Sequence, residues 1–139
     1  MKDEGDPITP DEWLVRLIWG EFLAPADALP VRPVAFRPRP DETDGISMFR
    51  LACVSRAEDV LAVIAPEKQP RYAITIVSVT ELVSLGLTVK PARIETAPGH
   101  VVIPELNSIN AKVEKKRLEA IQIRLAEIAN QNLVRRPLE

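Results

Sequence analysis

The chain has 139 residues, 46% of them hydrophobic and only 4% aromatic, with a formal net charge of −2. That is enough chain to bury one aliphatic core without staples, and the balanced charge supplies no global field to gather nucleic acid or anionic lipid. The single cysteine, Cys53, excludes an internal disulfide, and no apolar run approaches the ~20 residues of a membrane helix, so one soluble cytoplasmic domain spanning 1–139 is expected.

Residues 1–8 are charged and are expected to be frayed. Thr9-Pro10-Asp11-Glu12 has the form of a helix start, with an N-cap, a proline at the first helical position and a Glu at N3. Trp13, Leu14, Leu17, Ile18 and Phe22 follow at helical spacing, which predicts an amphipathic helix over 10–23 with Asp11, Arg16 and Glu21 off its apolar stripe. Both tryptophans, Trp13 and Trp19, fall in this segment and are candidate anchors for a partner.

Residues 31–40 carry Arg32, Arg37 and Arg39 between prolines and read as an extended edge or polyproline segment. The acidic turn 41–45 lacks calcium-loop spacing, since Leu51 stands where a bidentate Glu belongs, so no metal is expected. Asp44-Gly45 is a turn pair, with Gly45 supplying positive φ. Residues 46–54 read as a strand, with Ser47, Phe49, Leu51 and Cys53 on one face and Arg50 set among apolar residues on the other. Such an arginine requires a carboxylate partner or an anionic ligand if it is covered.

Ser55-Arg56-Ala57-Glu58 and Ser78-Val79-Thr80-Glu81 match capping boxes and predict helices near 55–65 and 79–85. Between them, Tyr72–Val77 is the most β-branched stretch and predicts a strand at the centre of the core. Leu87-Thr88-Val89 reads as a further short strand ended by Pro91, parallel or antiparallel to the first. Pro98-Gly99 is a turn, and the only histidine, His100, opens a short strand to Ile103. From Ser108 to about Leu133 the chain has neither Gly nor Pro, which predicts a long C-terminal helix over 108–134. Leu118, Ile121, Leu125 and Ile128 form its seam at 3-4-3 spacing.

The fold expected is α+β, a single domain with a small mixed β-sheet of three to five strands, short helices and the long C-terminal helix. No glycine-rich phosphate loop, no multi-histidine set and no motif around Cys53 is present, so neither cofactor nor metal is expected. The function expected first is a protein-interaction module: an adaptor, accessory subunit or inhibitor-like partner. It would meet another protein chain, self or hetero, through Trp13, Trp19, Leu118, Ile121, Leu125 and Ile128. The acidic N-terminal segment, residues 1–30, and the basic C-terminal helix favour such pairing. The alternative is a small enzyme or anion-binding protein with a site around His100 and Arg50 beside the turn Asp44-Gly45, and Cys53 as a further candidate nucleophile. Nucleic acid binding through Arg32, Arg37 and Arg39 is not expected, nor is a membrane.

Overall fold

A computed structural model of the chain describes residues 1–22 and 31–137. Its centre is a six-stranded, wholly antiparallel sheet: β1 (Trp13–Trp19), β2 (Ile46–Arg50), β3 (Tyr72–Ser78), β4 (Lys90–Pro91), β5 (His100–Ile103) and β6 (Leu133–Arg135), in the order β4-β5-β2-β1-β3-β6. The helices are α1 (Val79–Ser84), α2 (Ser108–Val113) and α3 (Lys115–Gln131). The architecture is α+β with a long C-terminal helix. None of the helices is long and apolar enough to cross a membrane among the described residues.

The expected N-terminal helix is instead β1, a strand inside the sheet paired with β3 over seven register positions from Trp13↔Ser78 to Trp19↔Tyr72. Its seven residues, Trp-Leu-Val-Arg-Leu-Ile-Trp, are almost continuously apolar and so satisfy both periods. Burial on both faces decides in favour of the strand: Leu14 and Ile18 join the core under α3, while Val15 joins the core on the opposite face. The turn at Thr9–Glu12 forms as a capping box would, since the Thr9 amide donates to Glu12 Oε2 at 2.8 Å, but an extended chain follows it.

Other boundaries shift for local reasons. The helix near 55–65 is a 3-10 helix, Ala57–Val63, capped one residue later than expected, with the Arg56 amide on Asp59 Oδ2. The strand begun at Ile46 turns into a 3-10 turn at Leu51–Cys53, and residues 33–36 of the proline-rich segment also wind into 3-10. No strand forms at 87–89; the pairing falls instead on Lys90 and Pro91, at the far edge of the sheet from β3, so β3 and β4 are neither crossover nor hairpin partners. The long C-terminal helix is broken at Glu114 (φ −118°, ψ 43°) and ends by Gln131, where Asn132 leads into β6.

Two cores result. Under α3 lie Leu14, Ile18, Met48, Val77, Ile103 and Leu125; on the other face lie Val15, Phe49, Val60, Leu61 and Ile74 beneath the 57–63 turn. Gly45 (φ +122°) opens β2 as expected, and its place beside the Ile103 carbonyl leaves no room for a side chain.

Candidate functional site

β1 and β2 pair only at Leu14↔Arg50 and Val15↔Phe49, then part. The gap is filled by Arg16. Its Nη1 donates to the Ser47 carbonyl at 2.8 Å, and its Nη2 and Nε donate to the Ala35 carbonyl at 2.7 and 3.2 Å. The guanidinium thereby replaces the ladder amides that the splayed strands cannot offer each other. Its face also meets the Phe36 ring at 5.9 Å.

Arg16 lines a cleft of about 270 Å³ whose walls include Trp19, Phe49, Tyr72, His100 and Ser47. Trp19 and Tyr72, paired across β1 and β3, stack at 5.2 Å in a tilted arrangement. Of the five guanidinium N–H groups, three are engaged by carbonyls, which leaves two, one on each terminal nitrogen, without an acceptor among the described residues. No carboxylate lies within ion-pair distance of Arg16 among those residues. Burial pulls its pKa down to about 10; Glu42 nearby opposes this and Arg39 adds to it. The group remains a cation at neutral pH, held in a costly place.

His100 and Ser47 stand on the face of the sheet that carries Phe49. His100 is the direct partner of Phe49 across β2 and β5, with ring centroids 5.1 Å apart. Its Nδ1–H donates to the Ala92 carbonyl, which can only accept. That assigns the proton to Nδ1 and leaves the Nε2 lone pair to accept the Ser47 hydroxyl at 2.9 Å. The preceding Gly99 (φ +81°) permits this placement, since a Cβ there would meet the Cβ atoms of Cys53 and Arg50.

Arg50 does not line this cleft; with His100, Glu4 and Gly99 it borders a separate pocket. It is 1% exposed and its five N–H groups are all taken: Nε and Nη2 on the two Glu12 oxygens at 2.7 and 2.9 Å, Nη1 on the Glu4 and Asp6 carbonyls, and Nη2 again on the Pro7 carbonyl. Residues 4–7, read from the sequence as frayed, thus wrap the guanidinium. Burial alone raises the Glu12 pKa, but the hydrogen bonds from Arg50 and the Thr9 amide, with the charges of Arg50 and Lys2, outweigh it and hold the carboxyl below its usual value. Cys53 is buried, burial pushes its thiol above the usual range, and no hydrogen bond joins it to His100 among the described residues. Asp44, of the turn Asp44-Gly45, borders a further open groove that His100 also lines.

Of the expected partner-binding residues, Leu118, Leu125 and Ile128 are buried in the chain's own core with Ile121 packed against it, Trp19 lines the cleft, and Trp13 is 37% exposed. No group of three or more His, Cys, Asp or Glu side chains is placed to hold a metal ion among the described residues. Arg16 and Ser47 are the site residues that sequence reasoning passes over. The sign that could have found Arg16 is a lone cation inside a seven-residue apolar run. No protein-family model matches the chain, no curated protein matches it, and no solved structure matches it.

Proposed function

We propose that the protein binds a small carboxylate with a planar or apolar body in the cleft between β1 and β2. The observation that carries this reading is Arg16: a half-buried guanidinium with two unengaged donors and no carboxylate partner among the described residues, lining an aromatic-walled cleft. One donor on each terminal nitrogen suits the two oxygens of a carboxylate, and a planar fork recognises that group better than an ammonium would. Trp19, Tyr72 and Phe49 supply the apolar wall, and about 270 Å³ stands near the lower edge of the ~300–1,000 Å³ usual for small-molecule sites, so the ligand is small. Arg37, exposed at the same cleft and without an ion pair among the described residues, adds attraction at the mouth. The single buried thiol of Cys53 fits a cytoplasmic setting.

Thermal unfolding of the full chain in benzoate, inorganic phosphate and chloride, at matched ionic strength, tests the reading. Benzoate should raise Tm in a saturable way and chloride should not, because a ligand that binds only the folded state stabilises it by mass action. Equal Tm values in all three salts would remove it.

A protein-partner reading retains one observation. Ile109 and Val113, one helical turn apart on α2, are 60% and 76% exposed, an apolar pair left uncovered among the described residues. Sedimentation of the full chain across a hundredfold concentration range, beside Ile109→Lys/Val113→Lys, tests pairing with a second copy. An association abolished by the variant supports it; a monomer throughout excludes it.

A further inference from the structure

We infer that Ser47 and His100 form a nucleophile–base pair that cleaves a small carboxylic ester held in the cleft. This rests on the reading of the cleft as a site for small carboxyl compounds and adds a reaction to it. Three features assemble without any motif in the sequence. The Ser47 hydroxyl donates to His100 Nε2 at 2.9 Å, His100 Nδ1–H is anchored on the Ala92 carbonyl, and both side chains line the cleft that holds Arg16. A nucleophile within hydrogen-bond reach of a base, the base oriented by a third group, is the arrangement that activates a serine. The third group here is a main-chain carbonyl. It fixes the tautomer and the ring but carries no full charge.

The lie of the strands explains why the pair is held ready. Ser47 and His100 are diagonal cross-strand neighbours two residues out of register on β2 and β5, since Phe49 stands opposite His100 and Val102 opposite Ser47. Diagonal neighbours on one face of an antiparallel pair are within reach of long or aromatic side chains. The imidazole is held at both ring nitrogens and lies tilted against the Phe49 ring at 5.1 Å, so it is oriented before a substrate arrives. Arg16, bonded to the carbonyl of the same serine, lines the same cleft with two N–H groups that no described residue engages, the kind of donor that stabilises a developing oxyanion.

In the step proposed, Ser47 Oγ forms a bond to the ester carbonyl carbon while its proton passes to His100 Nε2. The carbonyl oxygen becomes an oxyanion beside Arg16. Collapse breaks the bond to the alkoxy oxygen, which leaves as the alcohol with the proton from Nε2, and the acyl group stays on Ser47. A water then attacks the acyl carbon, giving its proton to Nε2. Breaking of the Ser47 Oγ bond returns that proton to the serine and frees the carboxylic acid. No oxidant, reductant or further reactant is needed. The free acid is a carboxylate of the kind that the cleft is proposed to bind.

The test is covalent labelling of the full chain with a fluorophosphonate probe, in which Ser47 Oγ would displace fluoride from phosphorus. One label per chain, mapped by mass spectrometry to Ser47 and lost in Ser47→Ala, is the expected result. His100→Gln should slow labelling by roughly 10²–10⁴-fold, the usual contribution of a positioned base. Cys53→Ser should leave the rate unchanged. Failure of the folded chain to react, or equal labelling of Ser47→Ala, would overturn the proposal. Should Ser47→Ala not fold, Ser47→Cys in the Cys53→Ser background replaces it. Iodoacetamide should then alkylate Cys at 47 at least tenfold faster with His100 than with Gln at 100, and equal rates would count against the pair. The benzoate Tm shift is measured on Ser47→Ala in parallel. A shift without labelling leaves the carboxylate site standing and removes only the reaction, whereas loss of both removes the site as well.

Discussion

Arg50 and Arg16 are both lone cations in apolar strands of one sheet, and the sheet treats them in opposite ways. Around Arg50 the chain supplies everything: a two-pronged carboxylate from Glu12 and three backbone carbonyls from residues 4–7 engage every donor. Around Arg16 it supplies three bonds from two carbonyls, an aromatic face and no carboxylate among the described residues. A saturated guanidinium fastens; an unsaturated one on the floor of a cleft is free to recognise. The sequence places Arg50 first as the anion-binding candidate, and the function proposed above gives that role to Arg16 on β1 instead.

The sharpest way to break the comparison is to remove the fastener. Glu12→Ala leaves Arg50 buried with its charge uncompensated, and breaking one side of a buried pair costs about 3–5 kcal/mol. Urea denaturation should show that loss, with the N-terminal segment released to proteolysis. If Glu12→Ala costs no more than an exposed substitution, Arg50 is not held as described. Next in size is Arg16→Met, which leaves the Ser47 and Ala35 carbonyls without their donor, at about 1–3 kcal/mol. Unlike the first variant, it should also abolish the benzoate Tm shift, and retention of that shift would locate the ligand elsewhere.

How much of this was open to the sequence depends on how local each feature is. The α1 start at Ser78 is readable because its cap is made three residues away, by the Glu81 amide on Ser78 Oγ at 3.1 Å. The strand start at Ile46, the Gly45 turn and the His100–Ile103 strand are readable on similarly local grounds, although the strand expected over 46–54 ends at Arg50. Residues 13–19 are not, because a run of Trp, Leu, Val, Ile and one Arg fits helix and strand alike, and only the neighbours on both sides decide. A helical reading puts Arg16 on the solvent side, which hides the site. The Ser47–His100 contact joins residues 53 apart and exists only through the β2–β5 register. The same holds for Arg50: that it needs a partner is legible, but that Glu12 is the partner is not, since Glu12 also satisfies the form of a helix cap.

The pH response separates the two regions with opposite signs. Glu12 is held below its usual pKa, so its contribution to stability is present above an unfolded value of 4.5 and is lost as pH falls through the lower folded value. Acid titration of stability should therefore be flat at neutral pH and decline below about 4.5, and the decline should shrink in Glu12→Gln. Arg16 has its pKa lowered to about 10, so carboxylate binding, which needs the cation, should persist through neutral pH and weaken as pH rises past that value. A benzoate affinity already lost by pH 8 would assign the binding to another group.

The smallest effect expected is at Arg37, at the mouth of the cleft. It is exposed, it makes no ion pair among the described residues, and its removal leaves no buried group without a partner. Arg37→Gln should therefore change stability by no more than about 0.5 kcal/mol. Its effect should fall on the ligand instead: a few-fold weaker benzoate affinity at low ionic strength, vanishing near 0.5 M salt, where the Debye length is roughly 4 Å. Arg16→Met should lose binding at every salt concentration, because a desolvated contact is screened far less than an exposed one. Titrations of both variants across salt thus tell steering at the rim from recognition at the floor. Equal salt dependence for the two would mean that Arg16 acts as a surface charge, and the contrast with Arg50 would then be one of position in the sheet with no bearing on ligand recognition.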